Sequence, residues 1–284
     1  MALSGLAQLF LELSSRCDKR HLCAFCGHQK PEVNPIEYGD MDYGLLTSIR
    51  AQLEPGVVIS FHRDGEPTAY PRLGDALACF AGFTTSLVTH GLNLVSKAAE
   101  IIDRCTTVTI SSFKGDPDGP AQLDTLKEFL ALKGDRAPLV QVKLVGDWRD
   151  HPYTLPGVRV LHRAIHNPTG NHHYAHLLPT VPEVGLCLDA LHRPSIDWEG
   201  RVYLCNRLAP GRETQIGHLQ FQTLAQIWHG ETRRTMIAAH LRGKREEANA
   251  TCATCTYFGV PSQWQPTPPS TSQTAWSGEL VQIQ

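Results

Sequence analysis

Six short apolar or β-branched segments alternate with helix-like stretches between residues 6 and 175, and this alternation limits the fold more than any other feature. The segments are LAQLFLEL (6–13), GVVISFH (56–62), TTSLVTH (84–90), TTVTISS (106–112), LVQVKLV (139–145) and VRVLHRA (158–164), each bounded by turn residues. Residues 71–82 begin at Pro71 and repeat apolar positions at Leu73, Leu77 and Phe80; residues 93–104 and 121–133 show similar spacing. Strands that alternate with helices pair in parallel, because a parallel neighbour needs a long crossover. Helices then cover the outside of the sheet. The roughly 170 residues involved are too few for a closed eight-fold barrel of about 250. The predicted fold is therefore α/β, an open six-stranded part-barrel with its chemistry at the C-terminal ends of the strands.

Residues 180–260 change character, with turn residues and paired cysteines replacing the strand–helix rhythm. A hairpin is predicted in SIDWEGRVYLC, followed by an amphipathic stretch with Leu224, Ile227, Trp228, Met236, Ile237 and Leu241. The tail from residue 261 is rich in Pro, Ser, Thr and Gln and is expected to be disordered. The domain division expected is 1–178, 179–260 and a 261–284 tail. Lys plus Arg total 26 against 28 for Asp plus Glu, which gives no reason to expect nucleic acid or an anionic membrane as an obligatory partner. No apolar run reaches the roughly 18 residues of a spanning helix. The N-terminal stretch lacks an early positive charge and carries Glu12, unlike a signal peptide, so a cytoplasmic protein is expected.

Nine cysteines is an odd number, and most of them cluster. Cysteines grouped in this way bind metal more often than they form disulfides. Cys17, Cys23 and Cys26 are spaced C-x5-C-x2-C in the loop after the first strand. Three thiolates can hold three irons of a [4Fe-4S] cluster and leave the fourth open to a ligand. A zinc site with His21 or His28 as fourth ligand fits the same spacing. Cys187, Gly200 and Cys205 form C-x12-G-x4-C, and Cys252 and Cys255 close a C-x2-C pair. Four thiolates make a closed tetrahedral set, for zinc or for a fully ligated cluster. Cys79, within a helix, and Cys105, at the N-terminal end of a strand, have the character of ordinary core cysteines.

The first segment, SSRCDKRHLCAFCGH, resembles the radical S-adenosylmethionine (SAM) enzymes, whose first strand leads into three closely spaced cysteines. Phe25 matches the aromatic residue commonly placed before the third cysteine, whereas the usual spacing is C-x3-C-x2-C. Asp64-Gly65-Glu66-Pro67, after the second strand, resembles the GGEP motif that holds the SAM amino group, with Asp64 in place of the first glycine. His90 in VTHGLNL and Ser111 in ISSF resemble strand-end residues near the ribose and the SAM site. Residues 187–255, with IGHLQFQTLAQIW between the cysteine pairs, resemble the SPASM/Twitch extension of these enzymes. The four available cysteines suit the shorter, one-cluster Twitch form.

The resemblance implies a partial (β/α)6 TIM-like barrel with a small cluster domain, two [4Fe-4S] clusters and SAM as cofactors, and an enzyme of the radical SAM class. It implies a flavodoxin or ferredoxin as electron donor. Chain size and the C-terminal cysteine pattern resemble 2-deoxy-scyllo-inosamine dehydrogenases, so a two-electron oxidation of a sugar or aminocyclitol-like small molecule is expected. A peptide-modifying maturase, a redox-neutral epimerase and, in another class, a zinc-stabilised binding protein are the alternatives. His162, His166, His172, His173 and His176 follow the sixth strand. His166 is the candidate catalytic base there, since imidazole titrates near neutrality; Asn167 and Arg163 are neighbouring candidates.

Overall fold

The computed structural model describes residues 3–19, 21, 23, 26, 37–163, 186–206 and 212–255. Phe25, His166 and the tail lie outside the described residues.

Six strands, β1 (Gln8–Leu11), β2 (Val58–Phe61), β3 (Thr85–Thr89), β4 (Thr107–Phe113), β5 (Leu139–Val145) and β6 (Val158–Arg163), pair in parallel in sequence order. The crossovers carry α1 (Tyr43–Ala51), α2 (Leu73–Cys79), α3 (Ala98–Ile101) and α4 (Gly119–Lys133). The open parallel α/β arrangement agrees with the sequence expectation, and β5 matches it to the residue. Two helices differ. Residues 93–104 yield only the four residues of α3, because Leu94, Lys97 and Ala98 are engaged in turn hydrogen bonds before it. The sequence reading had no helix at α1, where Asp42 caps the first turn by accepting from Leu45 N (3.1 Å).

Beyond the sixth strand the described chain resumes with α5 (Leu188–His192) and the hairpin β7 (Ser195–Ile196) and β8 (Arg201–Tyr203). A further strand, β9 (Gln215–His218), precedes α6 (Leu224–Trp228), α7 (Glu231–Leu241) and α8 (Ala250–Thr254). The hairpin does not stand apart. β7 pairs in parallel with β1, and β8 and β9 follow antiparallel, giving one sheet in the order β6-β5-β4-β3-β2-β1-β7-β8-β9. Its edges are β6 and β9, so the sheet is open.

Alternation along the strands divides this sheet into two chemically different faces. Leu9, Leu11, Ile59, Phe61, Leu87, Val108, Ile110, Val142 and Leu144 are fully buried and share one core with Leu46, Ile49, Leu73, Leu77, Leu126 and Phe129 of the helices. The other face presents Ser60, Ser86, Thr107, Thr109, Ser111, Gln141 and Lys143, most of them half-buried. Register places Ser60 beside Ser86, Thr109 beside Gln141, and Ser111 beside Lys143. Among the described residues no helix is long and apolar enough to cross a membrane.

Candidate functional site

The first cysteine loop leaves β1 through Ser14, Ser15 and Arg16. Gly39 donates to the Ser15 hydroxyl (2.8 Å), and Ser14 bridges to Asp40, so the far side of the loop returns against its start. Cys17, Cys23 and Cys26 are half-buried and close enough to interact electrostatically; Cys26 N donates to Cys23 O (2.8 Å). Burial pushes the Cys17 thiol up to about 11. It pushes Cys23 up to about 12, against the opposing charge of Lys19. Cys17 and Cys23 therefore keep their protons until a metal displaces them. His21, considered as a zinc ligand, has Nδ1 at 2.8 Å from Asp118 Oδ1.

The loop after β2 packs directly on this one. Glu66 N donates to Arg16 O (2.7 Å). A Cβ on Gly65 would meet Ser14 O at 2.1 Å and Ser15 C at 2.6 Å, so only glycine lets the two backbones approach this closely. Pro67 opens a short 3-10 helix, Pro67–Ala69, with Glu66 as its N-cap. The Glu66 carboxylate is buried and heavily engaged. Its Oε1 accepts from Thr68 N (2.9 Å), Thr68 Oγ1 (2.6 Å) and Thr89 Oγ1 (2.7 Å), and its Oε2 accepts from His90 N (2.9 Å). His90 Nε2 lies 3.0 Å from Asp18 Oδ1, next to Cys17. Cys17, Gly65, Glu66, Pro67 and His90 thus belong to one cluster of loops at the C-terminal ends of β1, β2 and β3. Ser111 lies farther along the sheet on the polar face; its carbonyl accepts from Gln122 Nε2 (3.0 Å).

Asp64, standing where the resembled motif has glycine, has a structural partner. Arg63 Nη1 donates to Asp64 Oδ2 (2.7 Å), and the guanidinium lies over the Tyr203 ring at 4.3 Å. Tyr203 Oη donates to Asp197 Oδ2 (2.9 Å). Asp64 N donates to Glu12 Oε1 (3.1 Å). Burial, with Asp64 close by, pushes the Glu12 carboxyl up to about 7. This polar network ties the loop after β2 to the β7–β8 hairpin. Sequence reading missed it, because its members stand up to 191 positions apart (Glu12 to Tyr203).

The four C-terminal cysteines converge. Cys187 caps α5, Cys205 follows β8, Cys252 lies in α8 and Cys255 ends it. All four line one small cavity with Asp189, Leu204, Thr214 and Arg245. Gly200 makes the β7–β8 turn with φ +92°, a conformation that needs glycine, and so brings Cys205 back beside α5. Gly217 packs on α6, where a Cβ would meet Ile227 at 2.6 Å. The Thr223–Gln226 capping box fixes the start of α6, and Trp228 Nε1 donates to Ser4 O (3.0 Å). Burial pushes Cys252 up to about 11. Four cysteines lining one small cavity fit a fully ligated cluster, and three cysteines in a strand-end loop fit a cluster with one free position.

Residues 187–256, which contain all four of these cysteines, match the family model of SPASM, an iron-sulfur cluster-binding domain. Most of the chain shares its fold with solved proteins. It superposes on BtrN in complex with AdoMet and 2-DOIA with a TM-score of 0.58 and 18% identity, covering 91% of this chain and 97% of that one. Against SuiB from Streptococcus suis, bound to the precursor peptide SuiA, the TM-score is 0.57 at 14% identity, over 89% of this chain and 70% of that one. SuiB bound to S-adenosylmethionine superposes with a TM-score of 0.52 at 13% identity, over 89% and 71%. No curated protein sequence matches the chain. The fold is that of these SAM-binding proteins, completed by a SPASM-type C-terminal region.

Proposed function

We propose that the chain is a radical SAM enzyme that oxidises an alcohol of a sugar or aminocyclitol-like small molecule. The observation that carries this reading is the division of seven cysteines into an open set of three and a closed set of four. The open set lies against the Gly65–Pro67 loop; the closed set is gathered by α5, α8 and the end of a hairpin that shares the same sheet. When loaded, a cluster with a free iron and SAM supply a 5′-deoxyadenosyl radical that removes a substrate hydrogen.

The protein's own part is to bind, orient and exclude water. Cys17, Cys23 and Cys26 would hold the first cluster and Cys187, Cys205, Cys252 and Cys255 the second. Gly65 lets the SAM-binding loop approach the cysteine loop, and Glu66 holds that loop to β3 through Thr68, Thr89 and His90. On the polar face, the hydroxyls of Ser60 and Ser111 stand in the C-terminal halves of β2 and β4 and are suited to a polyhydroxylated substrate. His166 is proposed as the base that takes the alcohol proton. A closed auxiliary set leaves no iron for substrate, so it suits electron acceptance. A flavodoxin or ferredoxin in the cytoplasm is the proposed electron donor.

BtrN, which the chain spans almost end to end, was solved with AdoMet and 2-DOIA, which supports the small-molecule reading. The test is anaerobic reconstitution. About eight irons per chain are expected, falling by about four in Cys23→Ala/Cys26→Ala. SAM should perturb only the signal lost in that variant. Stoichiometric zinc without iron uptake refutes the reading. In deuterated water, an oxidised product is expected; one solvent deuterium at an inverted carbon would mean epimerisation.

A further inference from the structure

Cys17 and Cys23 are separated by five residues where the resembled family commonly has three. Three of those five side chains grip the barrel. Asp18 accepts from Asn93 Nδ2 (2.8 Å) and lies 3.0 Å from His90 Nε2, beyond the end of β3. Lys19 Nζ donates to Asp116 Oδ1 (2.7 Å) and Oδ2 (2.8 Å) and to His21 O (2.7 Å), and lies 3.1 Å from Asp118 Oδ2. His21 Nδ1 meets Asp118 Oδ1 at 2.8 Å, and Asp118 N donates to Asp116 Oδ1 (3.0 Å). Asp116 and Asp118 belong to the turn between β4 and α4, 97 positions from Lys19 and His21.

The Lys19 side chain is 2% exposed, and those of its partners Asp116 and Asp118 are 6% and 13% exposed. A buried cation held by two carboxylates and a carbonyl is a defined joint, whereas a surface pair would be loose. Lys19 is also close enough to Cys23 for its charge to act on that sulfur. A lengthened loop would ordinarily be slacker, since more backbone must be ordered before three sulfurs face one site. Here the added length supplies the anchors.

We propose that Lys19 is a positioning residue for the N-terminal cluster: its joint to Asp116 and Asp118 preforms the long cysteine loop and fixes a positive charge beside Cys23. This rests on the reading of Cys17, Cys23 and Cys26 as cluster ligands. A fixed cation near a cluster favours its reduced, more negative state.

The test uses the full chain, with Lys19→Met and Lys19→Arg. In metal-free protein, Lys19→Met should raise hydrogen exchange at the Cys26 amide at least tenfold, and Lys19→Arg should restore most of the protection. In reconstituted protein, Lys19→Met should shift the reduction equilibrium of the SAM-responsive cluster at least tenfold toward oxidised, about 59 mV for one electron. The C-terminal cluster should keep its potential. Unchanged exchange and unchanged potential in Lys19→Met overturn the proposal. Should Lys19→Met not fold, Asp118→Asn should give the same changes at smaller size, and their absence overturns it equally. Cluster binding by the parent with no response of loop exchange sinks the joint alone. Loop exchange that responds in a parent that takes up no N-terminal iron supports the joint and sinks the cluster reading.

Discussion

Replacing Glu66 by Gln tests whether the carboxylate at the centre of the loop after β2 is first a structural group. Its Oε1 accepts three hydrogen bonds, from Thr68 N, Thr68 Oγ1 and Thr89 Oγ1, and its Oε2 accepts one from His90 N. Glutamine has one oxygen. Placed at Oε1 it preserves three contacts, but the new NH2 then faces the His90 N–H, donor against donor. The flipped rotamer is worse, since three donors then face the NH2. Glu66 is 3% exposed, so water does not compensate. One buried donor pair left unsatisfied, with charge-assisted bonds reduced to neutral ones, costs about 2–4 kcal/mol. At roughly 2–4 °C per kcal/mol, Tm should fall by roughly 4–16 °C. Urea unfolding of metal-free protein measures the loss without any ligand. Stability within about 0.5 kcal/mol of the parent would refute the reasoning and place the Glu66 carboxylate toward the ligand instead.

Three other outcomes are expected. Gly65→Ala sets a Cβ 2.1 Å from Ser14 O, where backbone must move, so it should cost about 1–3 kcal/mol or more and lower iron uptake at the N-terminal site, read by metal analysis. The Glu12 carboxyl is raised by burial from 4.5 to about 7, so the folded state binds its proton more tightly than the unfolded state does. Stability should therefore fall, by about 1–3 kcal/mol, as pH rises from about 4.5 through about 7, and Glu12→Gln should flatten that slope in denaturation curves taken across this range. Tyr153→Phe removes the hydroxyl that accepts from Ser112 Oγ (2.8 Å) and donates to Gln122 Oε1 (2.7 Å), leaving two buried groups short of a partner; a loss of about 2 kcal/mol is expected in the same assay.

Elements with their own periodicity were legible in the sequence, and elements defined by neighbours were not. LVQVKLV alternates and is β-branched, and it forms β5 over the same residues. α4 follows the Leu123, Leu126, Leu130 spacing, with Pro120 in its first turn and Gly134 at its end. β7 has only two residues, and its pairing with β1 joins positions 10 and 195; no local pattern encodes that. α1 begins Tyr43-Gly44, a poor helix start that Asp42 rescues by capping. The cysteine groups were legible as groups because their members stand at short, local spacings. What they pack against was not, because Arg63, Tyr203 and Asp197, or Lys19 and Asp116, meet only after the sheet is assembled.

Both departures from the resembled motifs fall where such a long-range partner exists. Asp64 replaces a glycine and is paired by Arg63, which stacks on Tyr203 of the C-terminal hairpin. The longer cysteine spacing introduces Lys19, paired by Asp116 and Asp118. A charged side chain at either position, buried without its partner, would oppose folding by several kcal/mol. The substitution and its partner therefore form a unit: Asp64→Gly should leave Glu12, at 3.6 Å, and Asp197 as the carboxyl groups acting on Arg63, and remove the Asp64 charge that helps hold the Glu12 carboxyl neutral. The pH-dependent loss of stability should then move to lower pH than in the parent. An unchanged pH profile in Asp64→Gly would mean that the Asp64 charge has no part in holding the Glu12 proton, which burial, Asp197 and Arg63 then set between them.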